Sequence, residues 1–352
     1  MKRDYSIDLL RIMAVFCVMV LHVAANRWSL EAVGSFEWEI INFFDCIVQF
    51  CVPIFFMISG CMLLNPAYEL SWEKLYKVKI LRIVTAFIFW SVLYTGYFLS
   101  VEIDQGMEKY ELLINFVRRC ITGQYHLWFL FAIVGLYMVT PVLREIAKNV
   151  ELTKYILVLG FIFALTMPLL GSLPWGGFFT NSVIYINSKL NMPVVMGNTF
   201  YFMLGYYLYS TEYSRNKRII WYVLGVGAAL FTVAITSLLS RHLQAATNVF
   251  MKYLTPNIAI QSVAIFLLFK QVFNRMHISE KIKDLIVLLS KMSFGMYLVH
   301  DFFNLIVVRV GIIDIPISSI IYIPVISIGV FICSFIVIFL MRKSQFLSKY
   351  IL

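Results

Sequence analysis

The chain has 352 residues, 61% of them hydrophobic and only 14% charged, with a mean hydropathy of +0.85. That composition excludes a water-soluble globular domain and fits a helical membrane protein. The formal charge of +10 does not indicate nucleic-acid binding, because the basic residues cluster between apolar runs, as anchors facing anionic lipid and cytosol would, and no stretch interleaves them with aromatics for stacking on bases.

A window of about 20 residues, the length needed to cross about 30 Å, predicts an all-α integral membrane bundle of about ten transmembrane helices. The first span, 7–26, is no cleavable signal peptide: it is long, carries charge and lacks a small-x-small cleavage site. It holds Arg11 and His22, separated only by apolar or small residues. An ionisable residue inside a membrane helix is costly, roughly 2.5 kcal/mol or more for Arg at mid-helix. Eleven residues at about 100° each bring His22 to within about 20° of Arg11 and about 16 Å further along the helix, so both share one face.

The second span, 39–64, carries Asp45, and the third, 79–100, begins with Lys79 and Arg82. In the connection 101–123, Leu112, Leu113, Phe116 and Val117 recur at helical spacing and predict a helix lying on the membrane surface. The fourth span, 124–143, opens with His126 and Trp128; the fifth is 152–170. Residues 171–192, with Pro174, Trp175, Gly176, Gly177 and several Asn, read as an irregular outer loop. The remaining spans are 193–210, 219–240, 254–275, 285–308 (with Tyr297, His300 and Asp301) and 317–341. His242 and His277 fall in connections. No internal repeat or low-complexity segment stands out, and residues 1–352 read as one membrane domain with no appended soluble domain.

Orientation follows from the basic residues. Most of the 29 lysines and arginines fall on one side, including Lys2, Arg3, Lys74, Lys77, Lys79, Arg82, Arg144, Arg218, Arg275, Arg342 and Lys349. That side is cytoplasmic by the positive-inside rule, which puts both termini inside and requires an even number of spans. The six cysteines form no CxxC pair and no ligand spacing with His, so no metal is expected.

On this orientation Arg11 lies near the cytoplasmic end, whereas His22, Asp45, His126, Trp128, His300 and Asp301 converge on the outer half. Polar groups in that layer must be satisfied there. A packing role, a proton-relay or transport path, and general-base catalysis by an imidazole that titrates near neutral pH would all use this inventory. Lys79 and Arg82 read either as snorkelling anchors or as donors capturing a phosphate on the cytosolic side.

These residues resemble the membrane acyltransferase-3 family, the integral-membrane O-acyltransferases of bacterial surface polysaccharides. Arg11 and His22 match the family's Arg and His separated by ten residues, preceded by Asp8-Leu9-Leu10. Val52 to Gly60 (VPIFFMISG), Tyr125 to Leu130 (YHLWFL), Phe202 to Tyr206 (FMLGY) and Ser293 to His300 (SFGMYLVH) are similar to its later signatures, in the right order across almost the whole chain. Tyr185-Ile186-Asn187 and Gly197-Asn198-Thr199-Phe200-Tyr201 add a likeness to short WecH-type members, which O-acetylate the N-acetylglucosamine of enterobacterial common antigen.

The resemblance implies a bacterial inner (cell) membrane enzyme that takes an acetyl group from cytosolic acetyl-CoA to a sugar hydroxyl of a surface or lipid-linked glycan near the outer face. Lys79 and Arg82, with Arg11 behind them, would hold the CoA phosphates. His22 would act as general base or as an acetyl-His nucleophile. Arg11 would position the donor, and Asp45 would orient His22. His126, Trp128, Tyr297 and His300 would shape the acceptor site. Membrane lipid is a partner, nucleic acid is not, and a homo-oligomer stays open. The alternatives are a glycan or small-anion transporter or flippase, against which no paired Gly- or Pro-broken halves are visible, and a non-catalytic sensor module.

Overall fold

The computed structural model describes residues 3–104, 107–173, 176–190, 192, 197–272 and 279–352. Of the residues named above, Lys2, Pro174, Trp175, Arg275 and His277 lie outside the described residues, as do 193–196 at the opening of the sixth span. The described chain is helical with no strand. In order come α1 (Tyr5–Trp28), α2 (Phe36–Val48), α3 (Cys51–Leu63), α4 (Leu81–Asp104), α5 (Lys109–Thr122), α6 (Trp128–Ala147), α7 (Val150–Gly160), α8 (Met167–Leu170), α9 (Gly177–Leu190), α10 (Thr199–Ser210), α11 (Arg215–Leu243), α12 (Pro256–Val272), α13 (Glu280–Arg309), α14 (Ser319–Met341) and α15 (Gln345–Tyr350).

Among the described residues, eight helical stretches are long and apolar enough to cross a membrane. The other two predicted spans correspond to α10 and α13. α10 has 12 described residues, most of them buried. α13 has the length, 30 residues, but its interior carries Lys291, His300, Asp301 and Asn304. The last three are buried, so its polarity faces protein and not lipid. Large apolar side chains on α11 and α14, such as Val223, Val226, Leu230, Ile321 and Val325, are exposed, as lipid-facing surfaces require.

The second predicted span is two helices. α2 ends at Val48 and α3 begins at Cys51, and Pro53, which has no N–H to give the ladder, sits in the first turn of α3, where that loss is tolerated. The surface helix over 101–123 is present as α5, with no buried residue. The loop reading of 171–192 is corrected: Gly177–Leu190 is helical. Its Asn, Thr and Ser are weak helix formers, but Phe179, Val183, Ile186 and Leu190 recur at three- and four-residue spacing.

α1 is central, packing on α2, α3, α12, α13 and α14. α3 and α10 cross closely. A Cβ on Gly60 would fall on the Phe202 carbonyl oxygen, and one on Gly205 would fall on the Met57 carbonyl oxygen. Only glycine permits backbones this near, and the pair joins two of the sequence signatures.

The helix ends show sidedness. At one end Ser290 Oγ on α13 donates to Asp8 Oδ1 on α1 (2.5 Å), Arg342 Nη1 donates to the Lys291 carbonyl (2.9 Å), and Thr85 Oγ1 donates to the Tyr350 carbonyl (2.5 Å). The starts of α1 and α4 and the C-terminal segment therefore lie together. At the other end Arg27, 5% exposed, donates to the carbonyls of Ile313, Ile315 and Ile317 at 2.8–2.9 Å and stacks over Tyr322. α1 and α13 run parallel: Asp8 meets Ser290 at the first end, and His22 meets His300 further along.

Candidate active site

A cavity of about 460 Å³ opens where the starts of α1 and α4 meet α13 and the end of α14. Its basic end is lined by Arg11, Lys79, Arg82, Lys291 and Arg342, and its deep end by Phe55, Phe129 and Tyr297. Arg11 is held in the wall by Ser290 Oγ (3.5 Å) and Met62 Sδ (3.2 Å). Among the described residues it has no carboxylate partner, so its charge stays available to the cavity. Five cations converging on one cleft focus a strong positive potential, and its size falls within the range of small-molecule sites.

Beyond Tyr297 lies a histidine cluster. Ring centroids of Tyr297 and His300 are 5.6 Å apart, of His300 and His22 5.1 Å, and of His300 and His126 5.2 Å. His126, His300 and Asp301 are buried, at 2%, 0% and 2% exposure, whereas His22 keeps accessible surface. Tyr94 on α4 fixes this stretch of α13: its hydroxyl donates to the Leu298 carbonyl (2.9 Å) and accepts from the Phe302 N–H (3.1 Å), a side chain inserted beside the helical ladder. Tyr297 in turn donates to the His126 carbonyl (2.5 Å), locking α13 to the start of α6.

The partners decide which imidazole nitrogens carry protons. Asp301 is a carboxylate and can only accept. Tyr125 Oη therefore donates its single proton to Asp301 Oδ1 (2.7 Å), and its oxygen accepts from His22 Nδ1 (3.1 Å). His22 then carries its proton on Nδ1 and presents a lone pair at Nε2. The same logic sets His300, whose Nδ1 lies 2.5 Å from the Tyr297 carbonyl; its Nε2 is buried with no partner among the described residues. Asp301 Oδ2 also accepts from Gln124 Nε2 (3.2 Å) and lies 3.5 Å from His126 Nδ1. A carboxylate, a hydroxyl and an imidazole in series are an arrangement that orients a base and supports the imidazolium it forms.

The structure thus brings His22, His126 and His300 together beyond Tyr297, which lines the cavity along with Arg11, Lys79 and Arg82. Trp128 stands beside them, stacked on Tyr253 (5.4 Å). Asp45 is not with His22. It is buried and accepts from Gln49 Nε2, one turn along its own chain (2.7 Å). The carboxylate tied to His22 is Asp301, through Tyr125; depth placed both acids in one layer but could not give the direction each faces. Sequence reading also left Tyr125 and Gln124 without roles, although Tyr125 opens one of the quoted signatures. Lys291 and Arg342 reach the cavity from α13 and from just past α14. Among the described residues no group of three His, Cys, Asp or Glu is placed to hold a metal ion.

A family model described as an acyltransferase domain matches residues 4–339. The chain has no match among functionally curated proteins or among solved structures.

Proposed function

Because the chain belongs to the membrane acyltransferase-3 family, we propose that it is an O-acetyltransferase of a bacterial cell membrane. It moves an acetyl group from cytosolic acetyl-CoA to a sugar hydroxyl of a surface or lipid-linked glycan. The observation that carries this reading is one cavity lined by five cations and by Tyr297, whose ring lies 5.6 Å from that of His300 in the histidine cluster. Lys79, Arg82 and Arg342 suit the phosphates of a nucleotide-type donor, and the aromatic deep end suits the neutral arm that carries the thioester.

In this mechanism His22 Nε2 takes the proton of the acceptor hydroxyl as its oxygen attacks the thioester carbon. The C–S bond breaks, and the imidazolium returns the proton to the leaving thiolate, so no net proton is consumed. Tyr125 and Asp301 hold His22 in the tautomer with its lone pair at Nε2. Arg11 steadies the donor from the cavity wall. The test is transfer of radiolabelled acetyl from acetyl-CoA in membranes carrying wild type, Arg11→Ala or His22→Ala at matched expression. Label enters a glycan or glycolipid only with wild type. Absence of wild-type transfer with a suitable acceptor pool favours the transport reading instead.

A further inference from the structure

A second cavity, of about 380 Å³, lies at the histidine end of the bundle and is lined among others by Phe163, Ser172, Asn187, Lys252, Tyr253 and Thr255. It adjoins a depression of about 390 Å³ that shares Pro168, Ser172 and Asn187, so the two form one trough between the end of α8, α9 and the segment before α12. Neither the cationic cavity nor the histidine cluster includes any of these residues.

The wall of this trough is built to be rigid. The Tyr253 ring stacks on Trp128 (5.4 Å between centroids, 24° between planes). The Tyr253 carbonyl accepts from the Tyr201 hydroxyl, and its own hydroxyl is hydrogen-bonded by Asn198. The segment Gly197 to Tyr201, singled out in the sequence without a role, therefore serves to hold this aromatic ring. Opposite it, Asn187 Oδ1 is buried with no hydrogen-bond partner among the described residues. A buried amide carbonyl left unpaired is unfavourable, so the site favours a ligand that brings a hydroxyl. Lys252 is exposed at the rim and offers donors only. An aromatic face, an unpaired amide oxygen and an ammonium group together match the apolar face and the hydroxyls of a sugar ring.

The trough is too far from His22 to hold the reacting sugar. The link runs from Tyr253 to Trp128, which follows His126 by two residues, and from His126 to His22 through Tyr125 or His300. One sugar ring does not span that chain of contacts. We infer that the trough is the subsite for the sugar adjacent to the acylated one in the acceptor glycan, and that it selects oligosaccharides over isolated sugars. This rests on the acyltransferase reading above.

The test uses the full chain in lipid nanodiscs, with N-acetylglucosamine methyl glycoside and the N-acetylglucosamine trisaccharide as probe acceptors. Acceptor-free hydrolysis of acetyl-CoA is measured alongside. Wild type is expected to show a lower KM for the trisaccharide than for the glycoside. Asn187→Leu with Lys252→Met is expected to raise the trisaccharide KM about tenfold by removing two polar contacts, with kcat and acceptor-free hydrolysis unchanged. Lys252→Met alone, a change at an exposed position, gives a smaller rise in the same direction and guards against a folding defect in the double variant. Equal KM values for both acceptors in wild type, or a wild-type KM in both variants, would overturn the subsite while hydrolysis still supports the enzyme. Neither hydrolysis nor transfer by wild type would overturn the acyltransferase reading itself, and the subsite with it.

Discussion

Tyr125→Phe removes one oxygen and tests the mechanism most sharply. The ring contacts that place residue 125 survive, since its packing against His22 (5.4 Å) and His126 (5.6 Å) involves the ring alone. Two hydrogen bonds are lost: the 2.7 Å bond to Asp301 and the 3.1 Å bond to His22. His22 is then released from its tautomer and uncoupled from the Asp301 charge. Partners that orient a functional histidine through its second nitrogen are typically worth about 10–100-fold, so kcat for acetyl transfer should fall by that factor, about 1.4–2.7 kcal/mol of barrier. The donor KM should hold, because the cationic end is untouched. Asp301→Asn should be worse. Gln124 donates to Oδ2 and selects the amide orientation that turns the new NH₂ toward Tyr125. Tyr125 would then donate to His22 Nδ1 and force the proton onto Nε2, which removes the base, a loss of up to about 10⁴-fold by analogy with a triad Asp→Asn change. Rates measured with labelled acetyl-CoA decide the matter. A Tyr125→Phe rate within twofold of wild type, or an Asp301→Asn variant more active than Tyr125→Phe, refutes the assigned proton pattern.

Two further outcomes follow from the geometry. Lys79→Ala and Arg82→Ala should each raise the KM for acetyl-CoA by about tenfold, the value of one charge-assisted bond, and leave the KM for an acetyl-pantetheine thioester without the nucleotide unchanged; equal rises for the two donors would show that these residues do not read phosphate. Gly205→Ala should lower the unfolding temperature in detergent through overpacking of about 1–3 kcal/mol, because the new Cβ meets the Met57 carbonyl, whereas Gly135→Ala in α6, with nothing within 4 Å, should not; matching melting curves for the two would exclude a backbone-close crossing of α3 and α10.

What the sequence made legible is whatever a single helix determines. Arg11 and His22 share a face because they share α1, and ten apolar runs can be counted along the chain. Depth was legible as well, from distance to the span ends. Azimuth between helices was not. Span positions put Asp45 and Asp301 in the same layer, yet only the packing of α1 against α13 and the turn before α6 decides which carboxylate reaches His22. The break between α2 and α3 hid inside one apolar run because hydropathy does not register a proline that costs the ladder only locally. α9 hid for the opposite reason: two glycines and several amides, weak helix formers, suggested a loop, although apolar residues recur at helical spacing from Phe179 to Leu190. Arg342 read as one more basic residue of the cytoplasmic side and Lys291 drew no reading, because their convergence on Arg11 is a property of three helix ends meeting.

The separation along α1 limits which donors the site can use. Arg11 and the other cations lie at one level and His22 about 16 Å further on, eleven residues of helix, while α13 runs parallel with Lys291 and His300 at matching levels. A donor whose charge sits directly on its acyl group would be captured at the cations with its carbonyl far short of Nε2. A donor that reaches both needs an anionic head, a long neutral arm and a thioester at the tip. The aromatic lining at Phe55, Phe129 and Tyr297 lies where that arm would pass, and it excludes a charged chain there because no cation lines that end. On the proposed acyltransferase mechanism, Arg11 and His22 share one helix face because one fixes where the donor's charge stops and the other where its acyl carbon must be.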